Sequence, residues 1–232
     1  MGEVVHAGGQ ESPVTAVLCA LPEELGALRE RAVSTHPRHG LELLELELDE
    51  GPALACVGGV GKVRAAHAAA LLLAEGAGRL LVVGTCGGLR KHLGPGALVH
   101  CERAAQTDLA VREGREAAPD PQLAAAWREE VPGHLGWFLT ADRPVISAWR
   151  RLRLARAFSG DCVADMETAA AAAVAVTAGV PWAALRAVTD RASHLTAASF
   201  RHHYPVQAGR AADTIPGLLR RLTELSRGDA RR

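Results

Sequence analysis

The chain lacks an excess of charge of either sign. Its 26 Lys and Arg balance 26 Asp and Glu, for a formal net charge of zero, so it has no basic excess of the kind an electrostatic nucleic-acid binder needs. It also lacks paired cysteines. The five present, Cys19, Cys56, Cys86, Cys101 and Cys162, are odd in number, far apart and form no C-x-x-C pair. That argues against a disulfide framework and for reduced, buried thiols in a cytoplasmic protein. The opening MGEVVHAGGQESP has no apolar stretch of the signal-peptide kind, and His6 stands where an N-myristoylation motif takes Ser or Thr. The longest apolar runs, such as AAHAAALLLA, are too short and too interrupted to cross a bilayer, so no membrane partner is expected. None of the ten histidines falls in an H-E-x-x-H or Cys/His ligand spacing. His202 and His203 read as solvent-facing helix residues, and no metal site is expected.

What is present is apolar and punctuated by glycine. With 232 residues, 48% of them hydrophobic, the chain can bury a sizeable core. Residues 14–20 (VTAVLCA) read as a buried strand, and LPEELGALRERAV as a helix on the spacing of Leu25, Leu28 and Val33. LELLELEL, a Gly-Pro turn and ALACVGG read as two strands, and residues 61–76 as a helix between glycines. RLLVVGTCGG is a strand entering a glycine loop, followed by the strand ALVHCERA. Residues 107–133 form a polar excursion with one helix, QLAAAWREE. Then come WFLTADRPVI as strand and loop, WRRLRLARAF as helix, DCVADMETAAAAAVAVTAG as strand end, loop and helix, and WAALRAVTD as strand. The remainder reads as helix interrupted at Pro205 and Pro216. Strands alternating with helices predict one α/β domain over residues 13–226, a three-layer α/β/α sandwich with a mixed, largely parallel central sheet. Residues 1–12 read as a disordered tail and 227–232 as a frayed one.

In such sheets ligands bind beyond the carboxyl ends of the strands. Those ends carry Glu23 and Glu24, the Gly58–Gly61 turn, Gly84-Thr85-Cys86-Gly87-Gly88, Asp142, Asp165 and Glu167, then Arg186, Thr189 and Asp190. The glycine turns match no nucleotide-cofactor motif. A phosphate loop in CVGGVGKV would need Gly at Cys56 and a hydroxyl at Val63, and a dinucleotide fingerprint from Gly59 would need Gly or Ala at Arg64. No cofactor is therefore expected. DMETAAAAAVA places two acids at the mouth of an alanine helix. A helix N-cap accounts for Asp165 but leaves Glu167 over.

Five segments in order, LCALPEEL, GGVGKVRAAHAAALLL, VVGTCGGL with LGPGALV, ADMETAAAAAVA and GVPWAALRAVTD, resemble the nucleoside phosphorylase/nucleosidase superfamily. The likeness spans nearly the whole chain and is greatest to the 5′-methylthioadenosine/S-adenosylhomocysteine nucleosidases. It implies a purine nucleoside as small-molecule ligand and hydrolysis of its N-glycosidic bond. It implies that Glu167 accepts hydrogen bonds from the ribose 2′- and 3′-hydroxyls, as two carboxylate oxygens suit two vicinal donors, while its charge faces an oxocarbenium-like ribosyl group. Asp190 takes the place of the acid that protonates N7 of the departing purine, its proton held by burial. Glu24 takes the place of the residue that activates water. Thr85 and Arg186 match residues around that water and the ribose, Cys86 and Gly87 are expected to bind substrate beside Thr85, and Thr189 is expected to bind substrate and to orient Asp190. Val60 and Met166 line the sugar pocket, Asp165 supports it, and Val145 offers backbone hydrogen bonds to the base. The family further implies a homodimer, with the partner reaching the site near Thr107–Leu109.

Two departures bear on specificity. Pro144-Val145 and Ala197 stand where the nucleosidases place aromatic residues, which opens the site to futalosine-type or other purine nucleosides. No arginine precedes GTCGG, where bacterial phosphorylases carry one. Water is then the expected nucleophile, and Arg64 and Arg201 are the cations left to meet an anion. A purine nucleoside phosphorylase, a futalosine-type hydrolase and a non-catalytic nucleoside-binding protein remain the alternatives.

Overall fold

The computed structural model describes residues 13–192 and 196–229. The expected tail over residues 1–12 lies outside them, as do residues 230–232. In chain order the elements are β1 (Thr15–Cys19), a 3-10 segment (Pro22–Arg31), β2 (Ala32–Arg38), β3 (Leu41–Leu48), β4 (Gly51–Val57) and α1 (Lys62–Ala74). There follow β5 (Arg79–Gly88), β6 (Leu98–Gln106), β7 (Glu116–Ala117), α2 (Pro121–Glu130), β8 (His134–Thr140) and α3 (Ala148–Ala157). The chain ends with β9 (Asp161–Asp165), α4 (Thr168–Thr177), β10 (Trp182–Asp190), α5 (Thr196–Gln207) and α6 (Ile215–Asp229), the last running into the stretch expected as a frayed tail.

The strands form one mixed sheet in the order β10-β6-β8-β9-β5-β1-β4-β3-β2, with β7 paired to β6. β4, β1, β5 and β10 run parallel, with Val17 beside Ala55 and Ala183 beside Leu81. β10 pairs both β5 and β6, so β5, β10, β6, β8 and β9 close on themselves while the β1–β4 side stays open. Closure brings the ends of β5, β9 and β10 around one mouth.

Helices cover both faces. On one, Ala65, Ala68 and Ala69 of α1 pack with Ala169, Ala171 and Ala172 of α4 over Leu18, Leu80 and Val82. Alanine is the best helix former, and its short side chain lets two helices and a sheet approach closely, which suits the alanine run of α4. On the other face Trp127 of α2 and Ile215, Leu218 and Leu219 of α6 lie against Val17, Leu81 and Leu185 with Leu25 and Leu28 of the 3-10 segment.

Three local expectations change. The helix read over residues 21–33 is 3-10 as far as Arg31 and is broken at Gly26, with φ 52° and ψ −138°. A Cβ at Gly26 would stand 2.9 Å from Gly209 Cα, and the next amide, Ala27 N–H, donates to Asp213 Oδ1 at 2.7 Å. Tertiary contact there overrides helical spacing. Val33 consequently belongs to β2, a strand absent from the sequence reading, where it is 62% exposed on the open edge. Pro205 does not interrupt its helix: α5 runs through it. Pro216 lies in the first turn of α6, where a missing N–H is harmless.

Candidate active site

The strand ends converge on a cavity of about 440 Å³ whose lining includes Glu24, Val60, Thr85, Cys86, Gly87, Val145, Asp165, Met166, Glu167, Arg186, Thr189 and Asp190. The two catalytic and ten substrate-binding residues assigned from the resemblance therefore all stand on its wall. The volume is within the usual range for a small organic ligand.

At the centre lies Arg186 of β10, 1% exposed. Its Nε donates to Thr168 Oγ1 at 3.0 Å, Nη1 to the Thr85 carbonyl at 2.7 Å and Nη2 to Glu167 Oε2 at 3.1 Å. Asp165 Oδ2 is also 3.0 Å from Nε, although the Nε–H is directed at Thr168. Burial by itself would lower the pKa of Arg186, but the carboxylates of Asp165, Glu167 and Glu24 outweigh it and raise the value. Arg186 is a fixed cation binding the acids together.

The two acids of DMETAA are used differently. Asp165 ends β9 and is not the N-cap of α4; it accepts a short hydrogen bond from the Thr140 hydroxyl. Thr140 in turn accepts from Ala169 N–H at 3.0 Å and so serves the helix N-terminus from a different strand. Glu167 occupies the cap position yet makes no side-chain cap bond. Its Oε1 takes the Gly61 N–H at 3.1 Å while Oε2 meets Arg186. The carboxylate is therefore turned into the cavity. Burial raises its pKa, opposed chiefly by Arg186 and assisted by Asp165.

Glu24 enters from the 3-10 segment after β1. Its Oε2 accepts from Ala20 N–H at 3.0 Å and Leu21 N–H at 3.2 Å, and its Oε1 from the N–H and hydroxyl of Thr85, both at 2.9 Å. Burial raises its pKa, with Arg186 and the Thr85 hydrogen bonds opposing. This carboxylate needs Gly84: a Cβ there would stand 2.8 Å from Glu24 Oε2, and the φ of 142° favours glycine. The adjacent Glu23 faces outward and accepts from the Tyr204 hydroxyl at 3.1 Å.

Asp190, at the end of β10, is 5% exposed. Its Oδ1 accepts from Ala192 N–H at 2.7 Å, and its Oδ2 lies 3.1 Å from the Thr189 hydroxyl. Ala192 has φ 47°, uncommon for a residue with a side chain. A Cβ on Gly87 would come within 3.1 Å of Asp190 Oδ1, so the small residue leaves that carboxylate room. Burial pushes the Cys86 thiol up, so it is a neutral wall residue.

The sequence reading missed Phe200 and Ile146, which join Val145 and Pro144 on the apolar wall. Phe200, three residues after Ala197 on α5, puts an aromatic ring on that wall and is stacked on Tyr204 with centroids 4.6 Å apart. Of the two candidate anion-meeting cations, Arg201 lines the cavity, whereas Arg64 is not on its wall. Asp142 does not line it either: with Asp108 it holds Lys62, whose Nζ is 2.7 Å from Asp108 Oδ1 and 3.6 Å from Asp142 Oδ2. All five cysteines are free and buried, and among the described residues no helix is long and apolar enough to cross a membrane.

An α/β sheet that gathers five buried charged side chains beside an apolar wall at its strand ends is the scaffold of an enzyme acting on a small molecule. The chain belongs to the Phosphorylase superfamily, whose profile matches residues 14–222. A 5′-methylthioadenosine/S-adenosylhomocysteine nucleosidase of Geobacillus kaustophilus is 27% identical over 225 residues, covering 88% of this chain and 95% of that protein. The structure of S-adenosylhomocysteine nucleosidase from Streptococcus pyogenes, in complex with 5-methylthiotubericidin, superposes with a TM-score of 0.85 at 25% identity, covering 91% of this chain and 98% of that one. Futalosine hydrolase of Helicobacter pylori shares the fold, with a TM-score of 0.84 at 22% identity over 89% of this chain and 97% of that one.

Proposed function

We propose that the protein is a purine nucleoside N-glycosidase that uses water to cleave 5′-methylthioadenosine/S-adenosylhomocysteine-like nucleosides and release the base. The observation that carries this reading is the place of Glu24. Three backbone N–H groups and a hydroxyl, from Ala20, Leu21 and Thr85, converge on one point. Such a nest is suited to an anion, and the chain fills it with its own carboxylate. A phosphate dianion would have to displace that group and then face its charge. The nearby cation, Arg186, directs its three nitrogens at protein acceptors.

Water beside Glu24 meets a carboxylate whose pKa is raised by burial, which makes it a stronger base than an exposed one. Glu167 is held by Gly61 and Arg186 but has lone pairs left for two ribose hydroxyls. Its fixed charge favours the ribosyl cation as the bond to the base breaks. Asp190 stands on the cavity wall at the end of β10, oriented by Thr189 and Ala192, as the donor to N7 of the leaving purine. Val145, Ile146 and Phe200 supply the apolar bed for base and 5′ substituent, and Arg201 offers a cation to a substituent that ends in a carboxylate. The reading includes a homodimer formed through the exposed strip of α1 and α4 around Val63, Ala66, Ala70 and Val174.

Product analysis of methylthioadenosine, S-adenosylhomocysteine, inosine and futalosine, each with and without phosphate, tests the assignment. Free base and free ribose derivative should appear in phosphate-free buffer, fastest with the thioether-bearing adenosines. Turnover that requires phosphate and yields a ribose 1-phosphate would overturn the hydrolase reading, and preference for futalosine would overturn the substrate.

A further inference from the structure

At the end of β8 and β9 remote from the cavity, two imidazoles converge on one carboxylate. Asp161 is the first residue of β9 and His134 the first of β8, its parallel neighbour. His92 comes from the loop after β5, which is tied to β9 by the Gly88–Val163 pairing and by Leu89 N–H donating to the Cys162 carbonyl at 3.1 Å. His92 Nε2 is 2.7 Å from Asp161 Oδ1, and His134 Nδ1 is 3.2 Å from Asp161 Oδ2. The two rings are 5.5 Å apart and tilted by 40°. One nitrogen of each ring and a carboxylate oxygen all lie within 4.8 Å of one another.

We propose that His92, His134 and Asp161 bind a divalent transition ion of the zinc class. Imidazole nitrogen and carboxylate oxygen each bind zinc at about 2.0–2.2 Å, which sets neighbouring tetrahedral ligands about 3.4 Å apart. The spacings of 2.7 and 3.2 Å, to separate oxygens of Asp161, are hydrogen-bond distances that would open towards that value on binding, and the widest, within 4.8 Å, would close by rotation of a ring. The donor set, two imidazoles and one carboxylate, suits zinc, cobalt or nickel rather than magnesium or calcium. Side-chain exposures of 58% for His92 and 41% for His134 leave room for water at a fourth position. Arg90, two residues before His92, does not take the carboxylate; it donates to the carbonyls of Gly160 and Phe158 at 2.8 and 2.9 Å. Among the described residues the ion-pair partners of Asp161 are the two histidines. Asp161 lies four residues before Asp165 on β9, about 13 Å along an extended strand, so the ion would clasp three segments and stand outside the cavity. A bound ion here would overturn the expectation of no metal centre, which rested on ligand spacing along the chain.

The test uses the full chain without a histidine tag, stripped with chelator. Calorimetric titration with zinc should show one saturable site of micromolar affinity. Cobalt should give visible bands of a nitrogen- and oxygen-bound ion, without the thiolate charge-transfer band a cysteine site would give. His92→Ala, His134→Ala and Asp161→Asn should each weaken zinc at least tenfold. Each should keep the circular dichroism spectrum and the turnover of the unsubstituted protein. No saturable binding, or affinity unchanged in all three variants, would mean a hydrogen-bonded cluster only and would overturn the proposal.

Discussion

Arg186→Met removes the guanidinium and keeps most of the side-chain volume. The lost group stands 3.0 Å from Asp165 Oδ2 and 3.1 Å from Glu167 Oε2, with the arginine side chain 2% exposed. Removing one partner of a buried ion pair costs about 3–5 kcal/mol, because a charge is left uncompensated. In a domain of this size each kcal/mol moves Tm by about 2–4 °C, so Tm should fall by about 6–20 °C. The pH dependence gives a second signature. Burial raises the pKa of both Glu24 and Glu167, and Arg186 is the foremost influence opposing it at each. Without the guanidinium both folded-state values rise further above those of the unfolded chain. A carboxyl with a raised folded value binds more protons folded than unfolded, so stability declines as pH climbs from the ordinary carboxyl value through the raised one. The deficit of the variant should therefore be smallest near about pH 5 and largest near about pH 8. Scanning calorimetry of both proteins across that interval measures it. A deficit below about 2 °C, or one that does not change with pH, would refute the view of Arg186 as the cation holding the buried acids together.

Two further substitutions separate the proposed roles of the acids. Glu167→Gln should lower kcat/KM for a ribonucleoside by about 10²–10⁴-fold and that of its 2′-deoxy analogue by less; equal losses would remove the hydroxyl-binding role. Asp190→Asn should fold, bind a purine ligand and lose at least about 10²-fold in kcat on a purine nucleoside, while a nitrophenyl riboside, whose leaving group needs no proton, is largely spared. If both substrates slow alike, Asp190 is not the leaving-group acid.

Much of the architecture was legible because hydrophobic period and glycine punctuation are local. The run VTAVLCA, the helix between Gly61 and Gly76 and the strand WAALRAVTD all appear where their patterns put them. The convergence of Glu24, Thr85, Glu167, Arg186 and Asp190 was legible because Glu24 and Glu167 follow strands, Asp190 ends one and Thr85 and Arg186 lie in strands that lead to the same rim. The kink at Gly26 was not legible, since it depends on Asp213 and Gly209, far along the chain. Nor was Phe200, which reaches the wall from α5 with no motif around it to mark it.

The sequence by itself determined most of the order of strands and helices, the family and the residue types available for chemistry, because these follow from local propensity and from motifs read in succession. Only the tertiary structure decided that the sheet closes through β10, that Arg186 binds the acids together and that Glu24 fills the amide nest. It also assigned Asp165 to Thr140 and Arg186 in place of a helix cap, and set His92 and His134 on Asp161. Each of these includes a contact between groups well separated along the chain. Which donor meets which carboxylate is fixed by strand register and by the exclusion of water from the interior, and neither is written in the spacing of neighbours along the chain.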